Sequence, residues 1–205
     1  MNLFNTDYMT SLSHLDEERL LAALEQAKAL DTDLIAVMIH WGIEYKTKQN
    51  NYQERVAQFL FDNGADLVLG GHPHVLQPME LRTLEREDGE KQGFVCYSLG
   101  NFISSQVYDL TDTTVVLELQ LTRDNETGVA QVTDYTYTPM LMYDRGRSVK
   151  ERFVLLNAYE ELSAGDEGEA ARKCAAAAAA CRGILGSGHD ARPEADLSGI
   201  LTASA

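Results

Sequence analysis

Two apolar runs in this 205-residue chain each end in histidine, and that pairing constrains the fold more than any other feature. Residues 34–39 lead directly into His40. Leu67, Val68 and Leu69 lead through Gly70 and Gly71 into His72, Pro73 and His74. Each run reads as a short strand, and the first has the unbroken hydrophobicity of a strand buried on both faces. Between them Tyr52, Val56, Phe59 and Leu60 recur at helical spacing, with Asn63-Gly64 as a C-cap. Ahead of the first run, Leu20, Leu21, Leu24, Ala27 and Leu30 form another helical stripe. It predicts a helix over 15–30, opened by Ser13 and Asp16 as a variant capping box. The order is helix, strand-His, helix, strand-His-x-His. That is β/α alternation, and open sheets of this kind gather ligands beyond the C-terminal ends of their strands.

The chemistry lies in those strand ends. Two glycines allow a sharp turn, and Pro73 fixes its own φ and biases His72 away from helix. In an extended segment, positions i and i+2 face the same way, so His72 and His74 can share one site. Paired imidazoles on a stiff loop suit borderline divalent metals such as Zn, Mn or Fe. The alternative is a polar turn whose histidines are merely solvated. His40 has a similar alternative, a core-edge histidine bonded to backbone. A further run, 94–97, ends in Ser98-Leu99-Gly100-Asn101-Phe102. Ser98 and Asn101 there are either hydrogen-bond donors to a bound ligand or ordinary turn residues.

The rest of the chain supplies scaffold. Residues 75–84 predict a strand and 85–92 a charged turn built on Asp88-Gly89. Alternation over 114–121 and the return over 129–137 predict a β-hairpin, so the sheet is expected to be mixed. Residues 143–147 read as a surface turn and 151–162 as a helix. The alanine-dominated stretch 170–182 predicts a peripheral helix, since alanine is the best helix former but offers little shape for packing. From Gly183 onward a loose tail is expected, with His189 in it without chemical context. The resulting division is 1–145 for the main domain, 146–182 for peripheral helices and 183–205 for the tail.

Composition narrows the partners. Acidic residues outnumber basic ones 32 to 17, a formal charge of −15. Such a surface repels nucleic acid and anionic membrane. Cys174 and Cys181 fall about 10.5 Å apart along the predicted helix, too far for a disulfide. No leader or membrane-length apolar run is legible, so the chain as written reads as soluble and cytoplasmic.

Three motifs in order carry a family resemblance: His40-Trp41-Gly42-x-Glu44-Tyr45, then Gly71-His72-Pro73-His74-Val75-Leu76-Gln77-Pro78, then Tyr97-Ser98-Leu99-Gly100-Asn101-Phe102. Together they resemble the bacterial capsule-synthesis protein CapA family, within the calcineurin-like metallophosphoesterase superfamily. The family is associated with poly-γ-glutamate capsule biosynthesis, and the resemblance spans roughly residues 15–105. It implies an α/β (α+β) metallophosphatase-like sandwich of mixed β-sheets flanked by helices. It implies divalent metal, Mn, Fe or Zn, held by His40, His72 and His74 and binuclear in a complete domain. His40 and Asn101 become candidate catalytic residues, and Glu44, Gln77 and Ser98 candidate substrate-binding residues. The Asp-x-His, Gly-Asp and Gly-Asn-His motifs that open the superfamily pattern are not found here. The chain therefore resembles a C-terminal portion, with the N-terminal half of the domain lacking.

The resemblance leaves three functions open. One is a metal-dependent, phosphoesterase-like hydrolase acting on a phosphoester or on the capsule polymer. The second is a non-enzymatic scaffold among other capsule-synthesis proteins at the cell envelope. The third is a fragment inactive by itself. Relatives are anchored at the envelope by an N-terminal segment that this sequence is expected to lack. Missing first strands would also expose sheet edge and invite self-association.

Overall fold

The computed structural model describes residues 16–87, 89–164 and 168–194. Helix α1, Glu17–Lys28, starts at Asp16, whose carboxylate accepts a hydrogen bond from the Arg19 amide at 3.2 Å. Asp16 is therefore the cap itself, while Ser13 lies outside the described residues. Glu17 and Glu18 complement the helix dipole in the first turn, and Leu20 and Leu24 are buried. Helix α2, Asn51–Asp62, opens with a full capping box. Asn50 Oδ1 accepts from the Gln53 amide at 3.0 Å, and Gln53 Oε1 accepts from the Asn50 amide at 3.1 Å.

The first sheet has the order β1-β2-β4-β3, with strands β1 (Ala36–His40), β2 (Leu67–Gly71), β3 (Met79–Arg86) and β4 (Gly89–Cys96). β1, β2 and β4 run parallel, and β3 is antiparallel to β4, so this sheet is mixed. β1 is its outer strand. It is not buried on both faces as the apolar run suggested, because Met38 is 83% exposed. The stretch 85–92 is likewise not a broad charged turn. β3 and β4 stay paired out to Arg86 and Gly89. The charges there have a buried partner: Asp66, 3% exposed, is met by Lys91 Nζ at 2.7 Å and Arg86 at 3.4 Å. Asp66 also accepts from the Ile35 amide at 2.9 Å, which ties the entry of β1 to the entry of β2.

The second sheet, β5-β6-β7, is antiparallel throughout. β5 (Thr113–Arg123) and β6 (Ala130–Asp144) form the expected hairpin, extended at the β6 end. β7, Phe153–Asn157, occupies the first half of the predicted helix over 151–162. Its Phe-Val-Leu-Leu run pairs with residues 140–144 as an edge strand. Only at Asn157, whose side chain accepts from the amides of Tyr159 and Glu160, does helix α3 (Ala158–Ser163) begin.

Three apolar clusters stack these layers. Leu20, Leu24, Trp41, Leu60, Phe61 and Val68 join α1 and α2 to one face of the first sheet. Leu67, Phe94, Cys96, Val115, Tyr135 and Tyr137 fill the space between the sheets. Leu141, Tyr159, Cys174 and Ala178 bind α3 and helix α4, Glu169–Leu185, to the second sheet. The alanines of α4 are not peripheral. Ala171, Ala175 and Ala178 are fully buried, and their small size lets the helix approach closely. Nor does the chain loosen at Gly183. The Tyr137 amide donates to the His189 carbonyl, and the Ala191 amide donates to the Tyr137 carbonyl. His189 stacks on Tyr135 with ring centroids 3.9 Å apart. All three cysteines are buried and free. Among the described residues no helix is long and apolar enough to cross a membrane.

Candidate metal centre

Strand register places the site. His40, the last residue of β1, pairs with Gly71, the last of β2. The pairing then continues into the loops: the Trp41 amide donates to the Gly71 carbonyl at 3.1 Å, and the Tyr45 amide to the Pro73 carbonyl at 2.8 Å. Loop 41–45 thus runs beside loop 71–74. Trp41, 1% exposed, anchors it by donating Nε1–H to the Tyr97 carbonyl at 2.8 Å. That bond depends on Gly70, where a Cβ would stand 2.5 Å from Trp41 Nε1 and 2.1 Å from the Tyr97 oxygen. Gly42 makes the turn at φ +87 with Gln53 packed against it.

The turn at the histidines is not made by Gly70 and Gly71, nor is it extended. His72 (φ 101), His74 (φ 63) and Tyr45 (φ 62) themselves occupy the left-handed region. Such strain costs about 1–3 kcal/mol per residue and collects at functional sites.

This backbone brings together Glu44, His72 and His74, whose ligand atoms lie within 4.8 Å of one another. This group shares His72 and His74 with the expected His40, His72, His74 set and adds Glu44. His40 flanks the group, its ring 4.5 Å from that of His72. Glu44, expected to meet substrate, completes the group, 3.6 Å from His74 Nε2. Two imidazoles and a carboxylate fit a single borderline divalent ion. Tyr45 was not foreseen. Its ring stacks on His74 at 5.9 Å and meets Tyr108 at 4.8 Å.

The other candidates separate. Asn101 belongs to the site, with Oδ1 2.9 Å from His74 Nδ1. Gln77 does not face it: fully buried, it accepts from Gln53 at 2.8 Å and donates to the carbonyls of Lys46 and Lys48. It holds the loop that carries Glu44. Ser98 is also fully buried and accepts from the Gly100 amide at 3.2 Å, a turn contact.

Burial lowers the pKa of His72, aided by His40 and His74 and opposed by Glu44. Partial enclosure of the ring lowers that of the more exposed His40 too, with a smaller push from His74. Both imidazoles are thereby kept neutral and able to coordinate. In the metal-stripped protein the unfolded state then binds more protons just below the ordinary imidazole value of about 6.5. The stability contribution is present above that value and is lost as pH falls through the lowered folded values. Urea unfolding from about pH 7.5 to 5.5 should show a stability decline that flattens in a His40→Asn, His72→Asn double variant. An identical slope in both proteins would contradict it.

Two sheets, one of them mixed, flanked by helices are consistent with a partial metallophosphatase-like α+β fold. Comparison with known proteins gives the family. The profile described as "Bacterial capsule synthesis protein PGA_cap" matches residues 4–106, half of the chain, and the chain belongs to that family. It is 37% identical over 112 residues to "Capsule biosynthesis protein CapA" of Bacillus anthracis, covering 55% of this chain and 25% of that protein. It is 34% identical over 118 residues to "PGA biosynthesis protein CapA" of Bacillus subtilis (strain 168), covering 58% and 28%. The matched region thus spans about a quarter of the length of these relatives.

Proposed function

We propose that this chain contributes a divalent-metal centre, formed by Glu44, His72 and His74, to a protein of poly-γ-glutamate capsule biosynthesis, with phosphoester hydrolysis as its reaction class. The observation that carries the reading is the convergence of two imidazoles and one carboxylate within 4.8 Å at two strand ends. The names of the relatives support the capsule context. A bound divalent ion supplies a Lewis acid and lowers the pKa of a water. The chain's own residues orient and hold. Asn101 accepts from the His74 ring and fixes its direction. Tyr45 stacks at an offset beside the same ring. His40, exposed beside His72, is the group placed to exchange a proton with a bound ligand.

A specific observation favours a second reading, a binding component of the capsule machinery. A cleft of about 430 Å³ lies beside the site, lined by Met38, His40, Leu69, Leu99, Phe102 and Val115. Met38 and Phe102 are exposed apolar side chains there, suited to a protein partner or a second copy.

One experiment tests the assignment: metal content by elemental analysis, beside phosphomonoester and phosphodiester turnover, for wild type, Glu44→Gln and His40→Asn. Metal should be retained in His40→Asn and lost in Glu44→Gln, with turnover lost in both. Metal lost in His40→Asn and kept in Glu44→Gln would restore the three-histidine set. Metal bound without turnover would favour the binding component.

A further inference from the structure

Asn101 lies on the segment between β4 and β5, and every polar atom of its amide is engaged. Its Nδ2 donates to Gln106 Oε1 at 2.8 Å and to the Thr111 carbonyl at 3.1 Å. Both amide hydrogens are taken by oxygens, so the amide oxygen is the end that faces His74. Turning the amide over would set oxygen against two oxygens. An amide oxygen only accepts, so the His74 Nδ1 that lies 2.9 Å away carries the proton. The lone pair of the neutral ring is then on Nε2, the atom that faces Glu44 Oε1 at 3.6 Å.

Gln106 Nε2 also lies 3.5 Å from Tyr45 Oη, a hydroxyl able to accept from it. It therefore touches both sides of the site. Through Asn101 it reaches His74, and through Tyr45 it reaches the residue next to Glu44. Thr111, fully buried, closes the same segment by donating its hydroxyl to the Tyr108 carbonyl at 2.6 Å.

We infer that Gln106 is a positioning residue of this site: acting through Asn101, beside the Thr111 carbonyl, it helps hold His74 in the Nδ1–H tautomer and reserves Nε2 for a cation. The role given to Nε2 rests on the metal-centre reading; the tautomer rests on hydrogen-bond polarity alone. Polarity is also what the test reverses. Gln106→Glu keeps an acceptor for Asn101. Gln106→Lys presents a donor to one amide hydrogen while the Thr111 carbonyl still accepts the other, so it strains the Asn101 amide and loosens its hold on the His74 Nδ1 proton.

Two measurements are made on the whole chain. Two-bond proton–nitrogen NMR of the metal-stripped protein, about two units above the ordinary imidazole pKa, reads the His74 tautomer. Chelator competition reads Zn²⁺ affinity. Wild type and Gln106→Glu should show Nδ1–H and similar affinity. Gln106→Lys should show a raised share of Nε2–H and bind Zn²⁺ about 10–100-fold more weakly, the usual effect of losing an outer partner of a metal ligand. Gln106→Ser withdraws the acceptor without adding charge and serves if the lysine variant fails to fold. Its expected signature is a reduced Nδ1–H preference with weakened Zn²⁺ binding. Nε2–H in wild type, or Nδ1–H undisturbed in both the lysine and serine variants, would overturn the inference. Nδ1–H in a wild type that binds no Zn²⁺ would uphold the relay and instead remove the metal-centre reading.

Discussion

Replacing His72 with alanine is expected to weaken Zn²⁺ or Mn²⁺ binding by more than about a hundredfold, beyond the roughly 10–100-fold typical of losing an outer hydrogen-bond partner. His72 is the central member of the cluster, with its ring 4.5 Å from His40 and 5.9 Å from His74. At 8% exposure it is enclosed, so no neighbour can swing into its place without repacking. Alanine is the informative replacement because it retains a Cβ at the left-handed φ of 101. Backbone strain is then the same in both proteins, and only the imidazole is removed. Calorimetric titration beside far-ultraviolet circular dichroism separates lost ligation from lost fold. Affinity within about tenfold of wild type, in a folded variant, would place the ion elsewhere.

The largest stability effect is expected far from that site. Asp190→Ala should cost about 3–5 kcal/mol, because it leaves a largely buried guanidinium without its counter-charge. Asp190 has a fully buried side chain, and Arg182 Nε meets it at 2.6 Å with only 20% of its own side chain exposed. The same carboxylate accepts from Tyr159 Oη at 2.6 Å and from the Arg192 amide at 3.0 Å. One residue thus joins α3, α4 and the segment that follows them. Asp190→Asn keeps hydrogen-bonding capacity but not charge, and should fall between alanine and wild type. Urea unfolding of the three proteins measures the series. A loss under about 1 kcal/mol for alanine would mean that the segment after α4 merely rests on the second sheet.

What could be read from sequence was whatever depends on neighbours along the chain. Apolar periodicity gave α1, α2, β1, β2 and the β5–β6 hairpin, and it put histidines at strand ends. What escaped depends on distant partners. Arg86 and Lys91 look like solvated charges until Asp66 is known to lie buried between them. Residues 153–157 are apolar enough for either helix or strand, and pairing with β6 decides. Asp190 and His189 look idle without Arg182 and Tyr135 beside them. Glu44 follows the same rule. Its place beside His72 and His74 comes from loop 41–45 pairing with loop 71–74, a register that no local pattern encodes.

The left-handed conformations of Tyr45, His72 and His74 set a trap for engineering. Glycine would relax all three positions. A library screened only for heat resistance or expression would therefore be drawn toward glycine there. It would enrich proteins that fold better and have lost the side chains of the proposed site. Any campaign on this family needs a ligand-dependent readout from its first round, since at these positions selection for a more comfortable backbone is selection against the site.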